Sequence, residues 1–113
     1  MILNNNKVKK DPPTKEINFI LELLNSNKFS DAESEIYKQV VKYPNSSILY
    51  NMLGAILAGK NNLDEAIINY KKSIKINPNY AQAYNNLGVA LHKLNRIDDA
   101  IIYYKKAINL KND

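Results

Sequence analysis

The stretch YNNLGVALHKLNRIDDAIIYYKKAI, residues 84–108, repeats a stretch found 34 residues upstream, YNMLGAILAGKNNLDEAIINYKKSI, residues 50–74. Aligned from Ser47 and Ala81 onward, 14 of 33 positions are identical. A weaker third copy precedes these two in the same register, as shown by Phe19/Leu53/Leu87, Leu23/Leu57/Leu91, Asn27/Asn61/Asn95 and Ala32/Ala66/Ala100. A fixed period of this length is typical of a repeat protein. We therefore predict repeats at 13–46, 47–80 and 81–113, after a flexible tail at 1–12.

The apolar residues of each copy follow helical spacing and not the alternation of a strand. In the second copy a polar break at residues 60–62 separates two apolar helical faces. Asp64 and the Ser30–Glu33 pair lie where caps of a second helix are expected. Pro44 and Pro78 mark the ends of second helices, because proline cannot continue a helix. Each copy is therefore predicted to be a hairpin of helix A, a tight turn and helix B.

Small residues are predicted to set the distance between the two helices of a hairpin. If the helices are antiparallel, Gly54 faces Ala66 and Gly88 faces Ala100. Tyrosines at matching positions are expected to fill the spaces between neighbouring hairpins, namely Tyr50, Tyr70, Tyr84 and Tyr104. A single hairpin cannot bury its own apolar face, so the copies must stack into a continuous core. The predicted fold class is all-α.

The 34-residue period and the Tyr-x-x-Leu-Gly…Ala…Tyr…Pro pattern resemble the tetratricopeptide repeat family. The resemblance covers residues 13–113, although the first copy has Glu16 in place of tyrosine and Ile20 in place of glycine. It implies a right-handed α-solenoid of three tandem helix-turn-helix repeats. It also implies a concave surface lined by the A helices.

Composition excludes several functional classes. The 113 residues contain no cysteine and a single histidine, which excludes disulfides, thiolate sites and a multi-histidine metal cage. No apolar run is long enough to span a membrane, and the first residues do not resemble a signal peptide. The net charge is +5, but Arg96 is the only arginine, so we do not expect a nucleic-acid partner. We expect a cytoplasmic protein with no cofactor, no metal and no membrane partner.

The sequence shows no catalytic arrangement, so we predict that the chain is not an enzyme. By the geometry of the resembled family, the concave groove should contain Ile17, Asn18, Leu21, Leu24, Asn51, Met52, Ala55, Ala58, Gln82, Asn85, Asn86, Val89 and His92. Amides can bond a peptide backbone while aliphatic residues form side-chain pockets. The predicted function is therefore a non-catalytic protein–protein interaction module that binds a peptide or a partner helix in this groove.

The resemblance also argues against one kind of partner. Family members that bind the acidic C-terminal tails of heat-shock chaperones clamp the carboxylates with a lysine and an asparagine in the first repeat, an asparagine in the second, and basic residues in the third. The matching positions here lack that clamp, since they are Ile17, Leu21, Met52, Gln82 and Asn86. Asn18 and Asn86 instead resemble an asparagine ladder in the repeat arm of a glycosyltransferase, which Met52 interrupts. An alternative reading is therefore the N-terminal, substrate-presenting arm of a larger transferase.

Two further expectations concern surfaces outside the groove. The pairs Lys71–Lys72 and Lys105–Lys106 recur on the convex face, so an anion-binding protein is another alternative. At the C-terminal end no helix follows the third helix B to cover it. Ile101, Tyr104, Ile108 and Leu110 should therefore leave apolar surface uncovered. This predicts self-association through the C-terminal helix or continuation into a longer chain.

Overall fold

The computed structural model describes residues 9–111, which form six α-helices and no strand. The helices are α1 (Thr14–Asn25), α2 (Phe29–Lys42), α3 (Ser47–Gly59), α4 (Leu63–Ile76), α5 (Ala81–Lys93) and α6 (Ile97–Lys111). Consecutive helices pack as hairpins, α1 with α2, α3 with α4 and α5 with α6, and the hairpins contact one another through α2–α3 and α4–α5. The predicted all-α solenoid of helix-turn-helix repeats is confirmed.

The predicted N-terminal tail lies partly outside the described residues, as do Asn112 and Asp113 of the third repeat. The flexibility that was predicted for residues 1–8 lies outside the described residues. Residues 11 and 12 of this segment pack on the folded chain. Asp11 accepts a 2.6 Å hydrogen bond from the hydroxyl of Ser46, which directly precedes α3, and Pro12 is buried. The boundary between tail and repeats stays a prediction.

An asparagine in the left-handed conformation lies two residues after the end of every A helix. The φ angles are 57° at Asn27, 63° at Asn61 and 62° at Asn95. The next residue in each case donates its backbone N–H to the carbonyl of the leucine five positions earlier, as Asn62 does to Leu57 over 2.8 Å. This is the hydrogen bond of a Schellman ending, which reverses the chain and satisfies a helix-end carbonyl. The repeated asparagine therefore shapes the turn of each hairpin.

The predicted side-chain caps of the B helices are wrong. Helices α2 and α4 begin at Phe29 and Leu63, one residue before Ser30 and Asp64, and no side chain caps either of them. Because the asparagine turn leads directly into helix B, Asp64 lies within the first turn. Its negative charge is still favourable there, near the positive end of the helix dipole.

The atoms closest to Gly54 belong to Tyr70, and the expected contact of Gly54 with Ala66 stays a prediction. A Cβ atom built on Gly54 would lie 2.5 Å from the Tyr70 ring, and one built on Gly88 would lie 2.8 Å from the Tyr104 ring. Each glycine therefore allows the tyrosine of its own hairpin to pack against the A-helix backbone. Tyr70 and Tyr104 consequently fill space within hairpins and not only between them.

Candidate functional site

A cavity of about 460 Å³ opens between the A helices α1, α3 and α5. Its lining residues are Ile17, Leu21, Leu24, Ile48, Asn51, Met52, Ala55, Tyr80, Gln82 and Asn86. Helical periodicity explains the apolar wall on α1, where Ile17, Leu21 and Leu24 lie one turn apart on a single face. The cavity is formed by residues from all three hairpins, so it exists only in the stack.

Eight of the predicted groove residues line this cavity, namely Ile17, Leu21, Leu24, Asn51, Met52, Ala55, Gln82 and Asn86. The other five do not. Asn18, Val89 and His92 are exposed outside it, and Ala58 and Asn85 are half-buried. Since Asn18 lies outside, the cavity brings together only part of the asparagine ladder on which the transferase alternative depends.

Sequence reasoning missed two lining residues, Ile48 and Tyr80. Ile48 lies in the first turn of α3, and Tyr80 directly precedes α5. The signal that could have found them is their position, because a residue at the start of an A helix borders the same groove as the residues one turn later.

Met52 is buried, whereas a side chain that lines the predicted groove would be expected to face solvent. It is only 5 % exposed and belongs to the hydrophobic core. Asn51 beside it is 6 % exposed, whereas Asn86 is half-buried. Met52 therefore forms the floor of the cavity, and a substitution there would disturb folding as well as any binding.

A ladder of hydrogen bonds forms the polar wall of the cavity. Asn51 donates to the Tyr80 hydroxyl over 3.3 Å, and Asn86 donates to Oδ1 of Asn51 over 3.0 Å. Gln82 in turn donates to Oδ1 of Asn86 over 3.1 Å. The exposed Gln82 lies at the outer end of this ladder, where a carboxamide can also bond the backbone of a partner. The ladder thus holds amide groups in fixed positions along one side of the cavity.

The electrostatics of the cavity are those of a neutral site. Its lining contains no aspartate, glutamate, lysine, arginine or histidine. Burial raises the pKa of Tyr80, and the hydrogen bond from Asn51 lowers it by a smaller amount. The tyrosine is therefore held in its neutral, hydrogen-bonding form. These groups can bind apolar and amide surfaces.

Three further features of residues 9–111 lie outside the cavity and concern metal binding, membrane spans and the lysines of α4. Across that range no cluster of three or more histidine, cysteine, aspartate or glutamate residues is placed to hold a metal ion. The helices described there are all too short or too polar to cross a membrane. On α4 the Lys72 ammonium lies 4.4 Å from the centre of the Tyr50 ring, so this exposed lysine makes a cation–π contact.

Two family profiles match the chain. One, described as TPR repeat, matches residues 54–95, and the other, described as Tetratricopeptide repeat, matches residues 81–113. Together they cover the second and third hairpins. A search of curated proteins finds no significant match.

Solved structures match the fold of the whole stack at low sequence identity. The second TPR of Spaghetti (RPAP3), bound to the HSP90 peptide SRMEEVD, has a TM-score of 0.79 at 14% identity over 86% of this chain and 90% of that one. A crystal structure of MamA has a TM-score of 0.76 at 24% identity over 82% of this chain and 54% of that one. MamA from Desulfovibrio magneticus RS-1 has a TM-score of 0.78 at 18% identity, covering 86% and 55%. The chain thus spans about half the length of the MamA chains.

Proposed function

Because this chain belongs to the tetratricopeptide repeat family, we propose that it is a non-catalytic protein–protein interaction module. The proposed site is the cavity between α1, α3 and α5, and the proposed ligand is an extended peptide or a partner helix. The observation that supports this most directly is the pairing of an apolar wall with a fixed amide wall in one cavity. Its volume, about 460 Å³, falls within the usual range for ligand pockets, roughly 300–1,000 Å³.

The two walls specify the chemistry of the partner. Ile17, Leu21 and Leu24 would surround a bulky uncharged side chain. The carboxamides of Gln82 and Asn86 would bond the backbone beside that side chain. The partner is therefore expected to present one large aliphatic or aromatic anchor within a segment that carries no charge at the anchor.

An acidic tail does not suit the same cavity. A carboxylate that enters it would lose its hydration with no cation in the lining to compensate, which is strongly unfavourable. The RPAP3 domain binds a peptide with acidic residues, but 14% identity relates that domain to this chain by fold alone. The absence of the basic and asparagine clamp at Ile17, Leu21, Met52, Gln82 and Asn86 also supports a different, uncharged ligand.

The proposal is tested by selecting peptides from a random displayed library on the immobilised chain, and then titrating the enriched peptides. We expect them to share an apolar anchor, and we expect the acidic peptide SRMEEVD to bind at least about tenfold more weakly. The test variant is Leu21→Glu, because Leu21 lines the cavity and is already 42% exposed. The matched control is Val41→Glu on α2, which is 83% exposed and lies outside the cavity.

Leu21→Glu should weaken binding while Val41→Glu leaves it unchanged, and both should melt near the wild-type temperature. Enriched peptides that bind Leu21→Glu normally would contradict the site. If binding is instead lost in Lys72→Glu and Lys106→Glu and falls steeply with salt, the lysine-rich convex face is the binding surface.

A further inference from the structure

Helix α6 exposes apolar side chains at positions that are covered in the preceding hairpin. Ile101 and Ile108 are 43% and 57% exposed. Their equivalents 34 residues earlier are Ile67, which is 7% exposed, and Ile74, which is half-buried. The difference arises because α5 packs against α4, whereas within residues 9–111 no helix packs on the equivalent face of α6. The stripe containing Ile97, Ile101 and Ile108 is therefore the equivalent, on α6, of the face of α4 that α5 covers.

Ile102 marks the limit of this stripe. It is 62% exposed, and its equivalent Ile68 is 59% exposed even though α5 covers α4. A residue that stays exposed in the covered hairpin is not part of the contact. The stripe, and not every exposed isoleucine of α6, is thus the surface that needs a partner.

The N-terminal end of the stack is a poor partner for this stripe. Two exposed charges on α1, Lys15 and Glu22, occupy positions where α3 and α5 have apolar residues that are almost fully buried, namely Leu49, Ile56, Ala83 and Ala90. Stacking α1 of a second copy on α6 would bury both charges, and buried charges without partners are costly. Head-to-tail stacking is therefore disfavoured, although Phe19 is 48% exposed there.

We infer that two copies of this chain pair through α6, with the two helices antiparallel about a two-fold axis. Such a contact is self-complementary, because each copy contributes the same surface. Asp98 and Lys105 are exposed and lie two helical turns apart on one flank of the stripe. In an antiparallel pair the same flank of the two helices lies side by side, with the chains running in opposite directions. Asp98 of each copy therefore lies beside Lys105 of the other. Ile97 of one copy then lies near Ile108 of the second, which covers the stripe.

Sedimentation of the 113-residue chain over a range of concentrations tests the pairing. We expect a closed dimer with no larger species, since a two-fold contact leaves no further copy of the surface free. Ile101→Lys should weaken the dimer at least about tenfold, because it puts a charge into the apolar contact. Ile102→Lys, the matched control on the same helix, should leave it unchanged. A wild-type chain that stays monomeric at the highest concentration measured would overturn the inference.

Charge reversal tests the antiparallel arrangement. Asp98→Lys alone and Lys105→Asp alone should each weaken the dimer, because each sets like charges against one another across the axis. The double variant Asp98→Lys/Lys105→Asp should recover it. A double variant that is weaker than both single variants would exclude the antiparallel pairing. A loss in Phe19→Lys as large as that in Ile101→Lys would also overturn it, in favour of head-to-tail stacking.

Discussion

Asn86 donates a hydrogen bond to Asn51 over 3.0 Å, and this bond joins α5 to α3 at the wall of the cavity. Asn51 is 6% exposed and also donates to the Tyr80 hydroxyl. One buried carboxamide therefore connects two A helices and the residue that precedes the second of them. Its geometry makes Asn51 a structural residue as well as a candidate binding residue.

Replacing Asn51 by alanine should destabilise the stack. The change removes the acceptor of Asn86 and the donor to Tyr80, and unsatisfied polar groups at a site this enclosed cost about 1–3 kcal/mol of unfolding free energy. Urea denaturation would measure the loss. Asn18→Ala on α1 is the control and should change little, because Asn18 is exposed. Equal unfolding midpoints for Asn51→Ala and the wild type would show that the hydrogen bonds of Asn51 with Asn86 and Tyr80 add no stability.

Gly54→Ala and Gly88→Ala should differ although the two glycines are equivalent. A Cβ at Gly54 meets Tyr70, which is 3% exposed and enclosed on all sides. A Cβ at Gly88 meets Tyr104, which is only half-buried and can shift outward. We expect Gly54→Ala to cost about 1–3 kcal/mol by overpacking. Gly88→Ala should be near neutral, because alanine favours a helix by about 1 kcal/mol over glycine. Thermal melts that rank the two variants in the opposite order would contradict this packing.

The helical hairpins could be predicted from the sequence because a 34-residue period and helical apolar spacing occur together. The period could not show the exposed fraction of the side chain at each equivalent position. Asn18, Met52 and Asn86 share one place in the repeat, yet the first is exposed, the second buried and the third half-buried. The cause is the place in the stack, since α3 belongs to the middle hairpin, which has a hairpin on each side, whereas α1 and α5 belong to the outer hairpins of residues 9–111. Burial in a stack depends on position along the stack.

The side chain of α4 that lies closest to Gly54 could not be predicted from the sequence either. Ala66 and Tyr70 lie one turn apart on the same face of α4, and helical periodicity does not distinguish them. The choice depends on how far one helix slides along the other, which the turn sets. That turn contains Asn61, whose recurrence was visible in the sequence, but whose left-handed conformation was not.

Asn61→Val should destabilise the second hairpin, whereas Asn61→Gly should not. The φ angle of 63° places this residue in the left-handed region, which glycine and asparagine tolerate and a β-branched residue does not. The expected cost of valine is about 1–2 kcal/mol, measured by thermal or urea unfolding. Because glycine keeps the turn, its melting temperature should equal or exceed that of the wild type. A valine variant as stable as the glycine variant would mean that the turn can adopt another conformation.

Tyr70 should make the stack sensitive to alkaline pH. Burial raises the pKa of Tyr70 from its ordinary value of 10.0 to about 12. Between these values the unfolded chain releases the phenol proton while the folded chain retains it, so stability is complete below pH 10 and is lost as the pH rises toward 12. A shift of this size corresponds to about 3 kcal/mol of unfolding free energy.

Tyr70→Phe keeps the ring against Gly54 and removes the ionisable hydroxyl. The variant should therefore lose less stability than the wild type when urea unfolding is compared between pH 9 and pH 12. Tyr37→Phe is the matched control, because it removes a hydroxyl from a side chain that is 52% exposed. It should keep the alkaline loss of the wild type. If the Tyr70→Phe and wild-type curves stay parallel across this range, the alkaline sensitivity has another origin and the ring is less enclosed than its 3% exposure indicates.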